Sequence, residues 1–297
     1  MTIPVKPEQI VNQPARVQTL RRVLESVNDR GAPAVDFCRP YVEGTEELPR
    51  DGRFLLVGNH TQGGMEVFLI SHFIRRAIGT RVRPLAERGM GNMRGPFGDL
   101  AAAYGAVIGS PENAGELMRH NETILVFPGG GREIAKFKGE EHTLNWQGRA
   151  GFARVAIAND YPIVPVGLVG SDDMYQSFCS RDSTWGRLSL ALSEKITGRK
   201  DMPMPLMHGI GPTLIPLPQR MYLRFGTPID TTTPAGVSHD DWVASIKQTT
   251  QTSLETALAE LLQIRANDPY RTLNPLARRR ATHPLRNGGN RTHAVAD

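Results

Sequence analysis

The chain has 297 residues, 39% of them hydrophobic and 22% charged, enough apolar material for one large α/β domain or two small ones with a sizeable core. Its two cysteines, Cys38 and Cys179, form neither a disulfide framework nor a metal-binding pattern, and they point to a reducing compartment. The formal net charge of +5 sits at one end: residues 265–297 carry seven arginines and two aspartates while the preceding residues balance, so the excess belongs to a tail that is either solvated or meets anionic lipid or nucleic acid.

No run approaches the roughly 18 apolar residues of a membrane-spanning helix. The opening MTIPVKPEQI lacks the apolar core of a signal peptide. The expectation is a cytoplasmic protein, or one peripheral on the inner face of a membrane without crossing it.

Residues 11–27 read as an amphipathic helix, with Val17, Leu20, Val23, Leu24 and Val27 on one side and arginines on the other. Such a helix packs on the domain or lies in a membrane interface. Residues 54–57 form a short buried strand. Residues 66–78 form a helix with apolar positions 67, 70, 74 and 78, ended by Gly79. Strand 82–85, helix 96–104 and strand 106–108 follow. A helix over 111–119 has Ser110 as its N-cap. Strand 123–127 runs into the loop PGGGRE, and helix 151–159 precedes strand 163–169. This alternation predicts an α/β fold with a largely parallel central sheet flanked by helices.

After Val169 the pattern loosens. MPMPLMHGIGPTLIPLP (residues 202–218) has five prolines and no charge, and it reads either as a buried crossover or as an apolar surface that touches lipid. Residues 221–225 form a strand. Ser238 with Asp241 resembles a capping box for a helix reaching about residue 265. The organisation expected is an N-terminal helical segment over 1–49, a main domain over 50–265, and a basic, disordered tail over 266–297.

Three stretches carry chemistry. In FLLVGNHTQGGMEVFLI (residues 54–70) a buried strand opens at Gly58 into a loop holding His60, at the carboxyl edge of a sheet, where α/β sites lie. Glu66 is the acid that can orient the imidazole of a general base. Six helical residues turn about 600°, so the two meet only if His60 precedes the helix, which Gly63 and Gly64 make feasible. No Ser or Cys stands in a nucleophile-elbow pattern, so direct attack by a substrate hydroxyl fits better than a covalent enzyme intermediate. In FPGGGRE (residues 127–133), Gly129, Gly130 and Gly131 free the backbone to offer N–H groups to an anion or oxyanion, and Arg132 adds a charge that can fork onto phosphate. In RGMGNMRGPFG (residues 88–98) the third glycine of a dinucleotide fingerprint is replaced by Arg94, leaving Arg88 and Arg94 as candidate phosphate ligands or surface charges. No metal is expected: His72, His120, His142 and His208 do not stand at ligand spacing from acids or thiols.

In this order the pieces resemble the glycerolipid acyltransferase family, which includes lysophosphatidate acyltransferases. NHTQGGME (59–66) resembles its His-x4-Asp block, GNMR (91–94) its Gly/Arg block, FPGGGRE its Phe-Pro-Glu-Gly-Thr-Arg block and IVPV (163–166) its Val-Pro block. GAVIGSPENA (105–114), GRAGFARVAI (148–157) and RFGTPID (224–230) add to the likeness, which spans residues 50 to 265 or so. The departures are the acid at Glu66, one place late, Gly129 in place of the family's Glu, and Gly131 in place of its Thr. This third block is similar to that of the diacylglycerol acyltransferase branch. The resemblance implies an acyltransferase domain over 50–265. It would move a fatty acyl group from acyl-CoA, or from acyl carrier protein, to a hydroxyl of a glycerolipid or lysophospholipid, or of a neutral alcohol. It implies His60 as general base, Glu66 as its partner, and Arg88, Arg94, Gly129, Gly130, Gly131 and Arg132 as substrate-binding residues. It implies no cofactor beyond the co-substrate, and a membrane surface as partner. A catalytically inactive lipid-binding protein of the same fold is the alternative. The arginine tail lacks interleaved aromatics, so nucleic acid is not an expected partner.

Overall fold

The computed structural model describes residues 13–62, 64–87, 95–197 and 206–284. In chain order these form α1 (Ala15–Phe37), β1 (Tyr41–Glu43), β2 (Leu55–Gly58), α2 (Met65–Ile78), β3 (Val82–Ala86), α3 (Pro96–Tyr104), β4 (Val107–Ile108), α4 (Pro111–Arg119) and β5 (Thr123–Val126). A single turn α5 (Gly131–Ile134), α6 (Gly151–Ala158), β6 (Ile163–Val169), β7 (Gln176–Ser177), α7 (Thr184–Thr197), β8 (Met207–His208), β9 (Tyr222–Phe225) and α8 (His239–Ala266) follow.

Seven strands make one sheet in the order β1-β9-β6-β2-β5-β3-β4. The five from β6 to β4 run parallel, β9 pairs antiparallel with β6, and β1 runs parallel to β9. The fold is α/β with a mostly parallel sheet flanked by helices. Strands β2 and β6 are buried along their whole length, as parallel strands covered on both faces must be, and they read accordingly as unbroken apolar runs, LLVG and IVPVGLV. Alternation within them divides the core. Leu55 and Val57 face α4, α6 and α8, whereas Phe54 and Leu56 face Leu69, Ile70, Phe73 and Ile74 of α2.

Caps end the helices where side chains dictate. Ser110 accepts from the Asn113 amide at 3.2 Å, and Ser238 accepts from the Asp241 amide at 3.2 Å. Gly79 closes α2 in the left-handed conformation. Along α8 a stripe of Val243, Ile246, Leu254, Leu258 and Leu261 lies against the sheet.

Several expectations change. The N-terminal helix runs ten residues beyond Val27, through Gly31 and Pro33, to Phe37. Its only buried residue is Val17, and ion pairs hold it to α2: Arg75 to Asp29 at 3.1 Å and Arg76 to Asp36 at 2.6 Å. Strand β1, the antiparallel β7–β8 pair and α7 were not foreseen. The disordered tail expected from residue 266 does not hold for 267–284. The buried Asp268 accepts from Arg220 Nη1 and Tyr222 Oη, each at 2.5 Å, and from the amides of Tyr270 and Thr282. Of the apolar segment 202–218, residues 206–218 are described, and Leu206, Ile210, Leu214 and Ile215 are exposed rather than buried in a crossover. Among the described residues no helix is long and apolar enough to cross a membrane.

Candidate active site

Strand β2 lies mid-sheet between β6 and β5, so the loops leaving the carboxyl ends of these three strands meet. They carry His60, the FPGGGRE segment, and Ser171 with Asp172. Asn59 fixes the end of β2: its side-chain amide donates to Leu168 O and its carbonyl accepts from Leu168 N, both at 2.9 Å. Gly58 admits a neighbour, since a Cβ there would come within 3.1 Å of the Phe127 ring. That ring stacks on the His60 imidazole, centroids 4.5 Å apart and planes 20° apart.

His60 stands in the loop before α2, as the spacing requires. Gly64, at φ +66°, turns the chain into the helix, whereas Gly63 lies outside the described residues. Glu66 then falls in the first turn, where the helix dipole favours a carboxylate, and is fully buried. Its Oε1 meets His60 Nδ1 in a hydrogen bond, and its Oε2 accepts from Thr61 Oγ1. Thr61 is also 2.8 Å from Ser171 Oγ. Committing Nδ1 to a carboxylate assigns the tautomer and leaves Nε2 as the atom able to take a proton. Asp99, in the first turn of α3, pairs with Arg16 at 2.9 Å.

The third-block glycines serve different ends. The Gly130 amide donates to Phe127 O at 3.0 Å, so it closes the turn and is not directed at a ligand. Gly131 opens the single turn α5. Gly129 makes room for Glu133: a Cβ there would overlap the Glu133 side chain. The buried Glu133 carboxylate accepts from His60 N at 3.0 Å and from Asn145 N at 2.7 Å. Burial pushes its carboxyl above the ordinary value, opposed by those two amides and by the charges of Lys136 and His60. The Glu133 side chain fills the space beside Gly129, the position at which the family pattern has its Glu.

Arg132 lines a cleft of about 150 Å³ with Glu133, Lys136 and Asn145. Arg149 reaches the same loop, donating from Nη1 to the carbonyls of Pro128 and Gly129, each at 3.2 Å. Arg88 and Arg94 lie outside the described residues.

Sequence reasoning missed Glu133, Arg149 and Asp172. Asp172 joins three loops: Oδ1 accepts from Gln62 N at 2.9 Å, and Oδ2 from Lys136 Nζ at 2.5 Å and His142 N at 2.9 Å. The one signal was an acid three residues after a fully buried strand. Two histidines do meet acids, contrary to expectation. His120 Nε2 is 3.1 Å from Glu116 one turn away, and His142 Nε2 is 3.2 Å from Asp173. Among the described residues no such group reaches the three members that would hold a metal ion.

Residues 39–169 match the Acyltransferase family profile. That stretch runs from just before β1 to the end of β6 and takes in His60, Glu66 and Glu133. Phytyl ester synthase 1, chloroplastic, of Arabidopsis thaliana is 29% identical over 258 residues, covering 78% of this chain and 35% of that protein. Phytyl ester synthase 2, chloroplastic, of the same plant is 30% identical over 258 residues, covering 82% and 37%. The human DGAT1/2-independent enzyme synthesizing storage lipids is 32% identical over 129 residues, covering 42% and 38%. The chain spans little more than a third of the length of these relatives.

Proposed function

This chain belongs to the glycerolipid acyltransferase family, and on that premise we propose that it moves a fatty acyl group from a thioester, acyl-CoA or acyl carrier protein, to the hydroxyl of a lipid. The observation that carries the reading is the His60–Glu66 pair at the carboxyl edge of the sheet, with the imidazole stacked on the third-block Phe127.

His60 Nε2 takes the proton of the acceptor hydroxyl as its oxygen attacks the thioester carbonyl. Glu66 holds the ring and stabilises the imidazolium that forms. The amides of Gly129 and Gly131 face the developing oxyanion. The tetrahedral intermediate collapses, the C–S bond breaks, and the imidazolium returns its proton to the departing thiolate. Arg132, with Arg88 and Arg94 from the resemblance, binds phosphate groups of the donor. With glycines at 129 and 131 in place of Glu and Thr, and with relatives named for phytyl esters and storage lipids, the reading favours a neutral acceptor over a lysophospholipid: a long-chain alcohol or a diacylglycerol.

The acceptor is drawn from a bilayer, by a protein peripheral on the inner, cytoplasmic face of the membrane. The exposed Leu206, Ile210, Leu214, Ile215 and Phe178 on and around the β7–β8 pair support this contact. The test is ester formation from palmitoyl-CoA against lysophosphatidate, other lysophospholipids, monoacylglycerol, diacylglycerol and a fatty alcohol. Ester from the neutral acceptors supports the reading. Product only from lysophosphatidate overturns the choice of acceptor, and lipid binding with no product from any acceptor or either donor overturns the enzyme.

A further inference from the structure

A cavity of about 60 Å³ lies where α1, α2, the start of β3 and the end of α3 meet. It is separate from the active site. Its α2 lining residues begin at Ser71, and Thr80 and Arg81 enter it at the amino end of β3, whereas His60 and Glu66 sit at the carboxyl edge. His72 is about 9 Å further along α2 than Glu66.

His72 is only 4% exposed. Its ring is held against Phe68 and, edge-on, Phe73. Nδ1 is 3.2 Å from Asn28 Oδ1, while Nε2 has no hydrogen-bond partner among the described residues. With Nδ1–H donating to Asn28, Nε2 offers a lone pair, and burial lowers the pKa so that the ring stays neutral. Such a site calls for an O–H donor.

The same cavity calls for negative charge. Arg21, Arg75 and Arg81 line it against one carboxylate, Glu25. Arg75 is occupied by Asp29 through two bonds of 3.1 Å. Arg21 Nε has no hydrogen-bond partner among the described residues, and the nearest Glu25 oxygen is 3.8 Å away. Arg81 donates from Nη2 to Ala102 O and Ala103 O, and among the described residues no carboxylate comes within 4.0 Å of it. Burial and the charges of Arg83 and Arg21 bring Arg81 down to about 10.

We infer that this cavity is a binding site for a phosphate group carrying one proton, its O–H donated to His72 Nε2 and its anionic oxygens bound by Arg21 and Arg81. One water needs about 10–15 Å³ of such space, so the cavity accepts a group of four or five heavy atoms and no acyl chain. Because Val17 is the one fully buried residue of α1 and ion pairs from Asp29 and Asp36 hold that helix to α2, an anion bridging Arg21 on α1 to His72 and Arg81 would fasten it further to the body.

The test is thermal unfolding of the whole chain titrated with inorganic phosphate, with sulfate at matched ionic strength beside it. Sulfate strengthens folding at least as much through general exclusion from the surface, yet has no proton for Nε2. In the wild type, phosphate should give a saturable rise on the order of 5 °C at about a hundredfold excess over Kd. Sulfate should give less, and His72→Phe and Arg21→Gln should each lose the difference. Arg21→Gln, at a partly exposed position, decides the matter if His72→Phe fails to fold. A short-chain phosphatidate run in parallel identifies the source: a rise with it alone supports a lipid headgroup, and a rise with both supports free phosphate. Equal shifts with sulfate and phosphate, shifts that survive in both variants, or no saturable shift with either phosphate would overturn the proposal. None of these readings depends on acyl transfer.

Discussion

Gly129→Ala adds one methyl group and should unseat the carboxylate beside His60. An ideal Cβ at 129 overlaps Glu133 Cγ and Cδ and lies 2.5 Å from Oε1, so the Glu133 side chain must leave its place. It then forfeits the hydrogen bonds from His60 N and Asn145 N. Bonds to a charged group contribute about 1.5–3 kcal/mol each, and a displaced carboxylate recovers some hydration, so the expected cost is about 3 kcal/mol. Glu133→Ala loses the same two bonds but leaves room for the new methyl. In urea unfolding of the wild type, both single variants and the double variant, the double should be no less stable than Glu133→Ala alone. That corresponds to a coupling of about 2–3 kcal/mol at unchanged m-value. If the two substitutions simply add, or if Gly129→Ala is as stable as the wild type, Glu133 does not depend on the space at Gly129.

Three other outcomes follow from particular contacts. Glu66→Gln keeps an acceptor near His60 Nδ1 but removes the charge that stabilises the imidazolium. The rate of acyl transfer should fall about 10²-fold or more with the fold intact by circular dichroism, and an unchanged rate would mean that another group orients the ring. Asp268 is held below its ordinary pKa: burial opposes ionisation, but Tyr222, Arg220 and the amides of Tyr270 and Thr282 outweigh it. A folded-state pKa below the unfolded value contributes stability above about pH 4 that is lost as pH falls through the folded value. Asp268→Asn should therefore lower stability at pH 7 by about 3 kcal/mol and flatten the acid limb of a stability–pH curve, and an unaltered limb would refute this. Leu214→Asp and Ile215→Asp should each weaken flotation with anionic liposomes about tenfold, as expected if each side chain buries in lipid, and flotation that both variants retain would place the contact elsewhere.

Much of the centre of the fold was legible because its signals are local. LLVG and IVPVGLV are buried on both faces and apolar throughout, α2 repeats apolar residues at helical spacing, and Ser110 and Ser238 announce the helices they cap. His60 and Glu66 were legible as a pair because glycine between them allows a loop to bring residues six apart into contact. What stayed hidden depends on distant partners. Asn28, Asp29, Gly31 and Pro33 read as helix breakers, yet α1 continues through them while Asp29 and Asp36 pair with arginines of α2. The arginine-rich composition after Ala266 suggests disorder, but Asp268 is anchored by Arg220 and Tyr222, which no local pattern links to it. Strands of two or three residues, such as β1, β7 and β8, are too short to show a period. Glu133 acts through the empty space at Gly129, and Asp172 through three loops far apart in the chain. Their roles lie in tertiary contacts rather than in spacing.

The most direct measurement is acceptor-dependent thiol release from palmitoyl-CoA by the wild type and by His60→Ala, each verified as folded. With His60 Nε2 as the base, the variant should retain the same unfolding midpoint within about a degree and lose about 10²–10⁴-fold in rate. Wild-type turnover by His60→Ala would contradict the assignment of this histidine and, with it, the mechanism built on the His60–Glu66 pair.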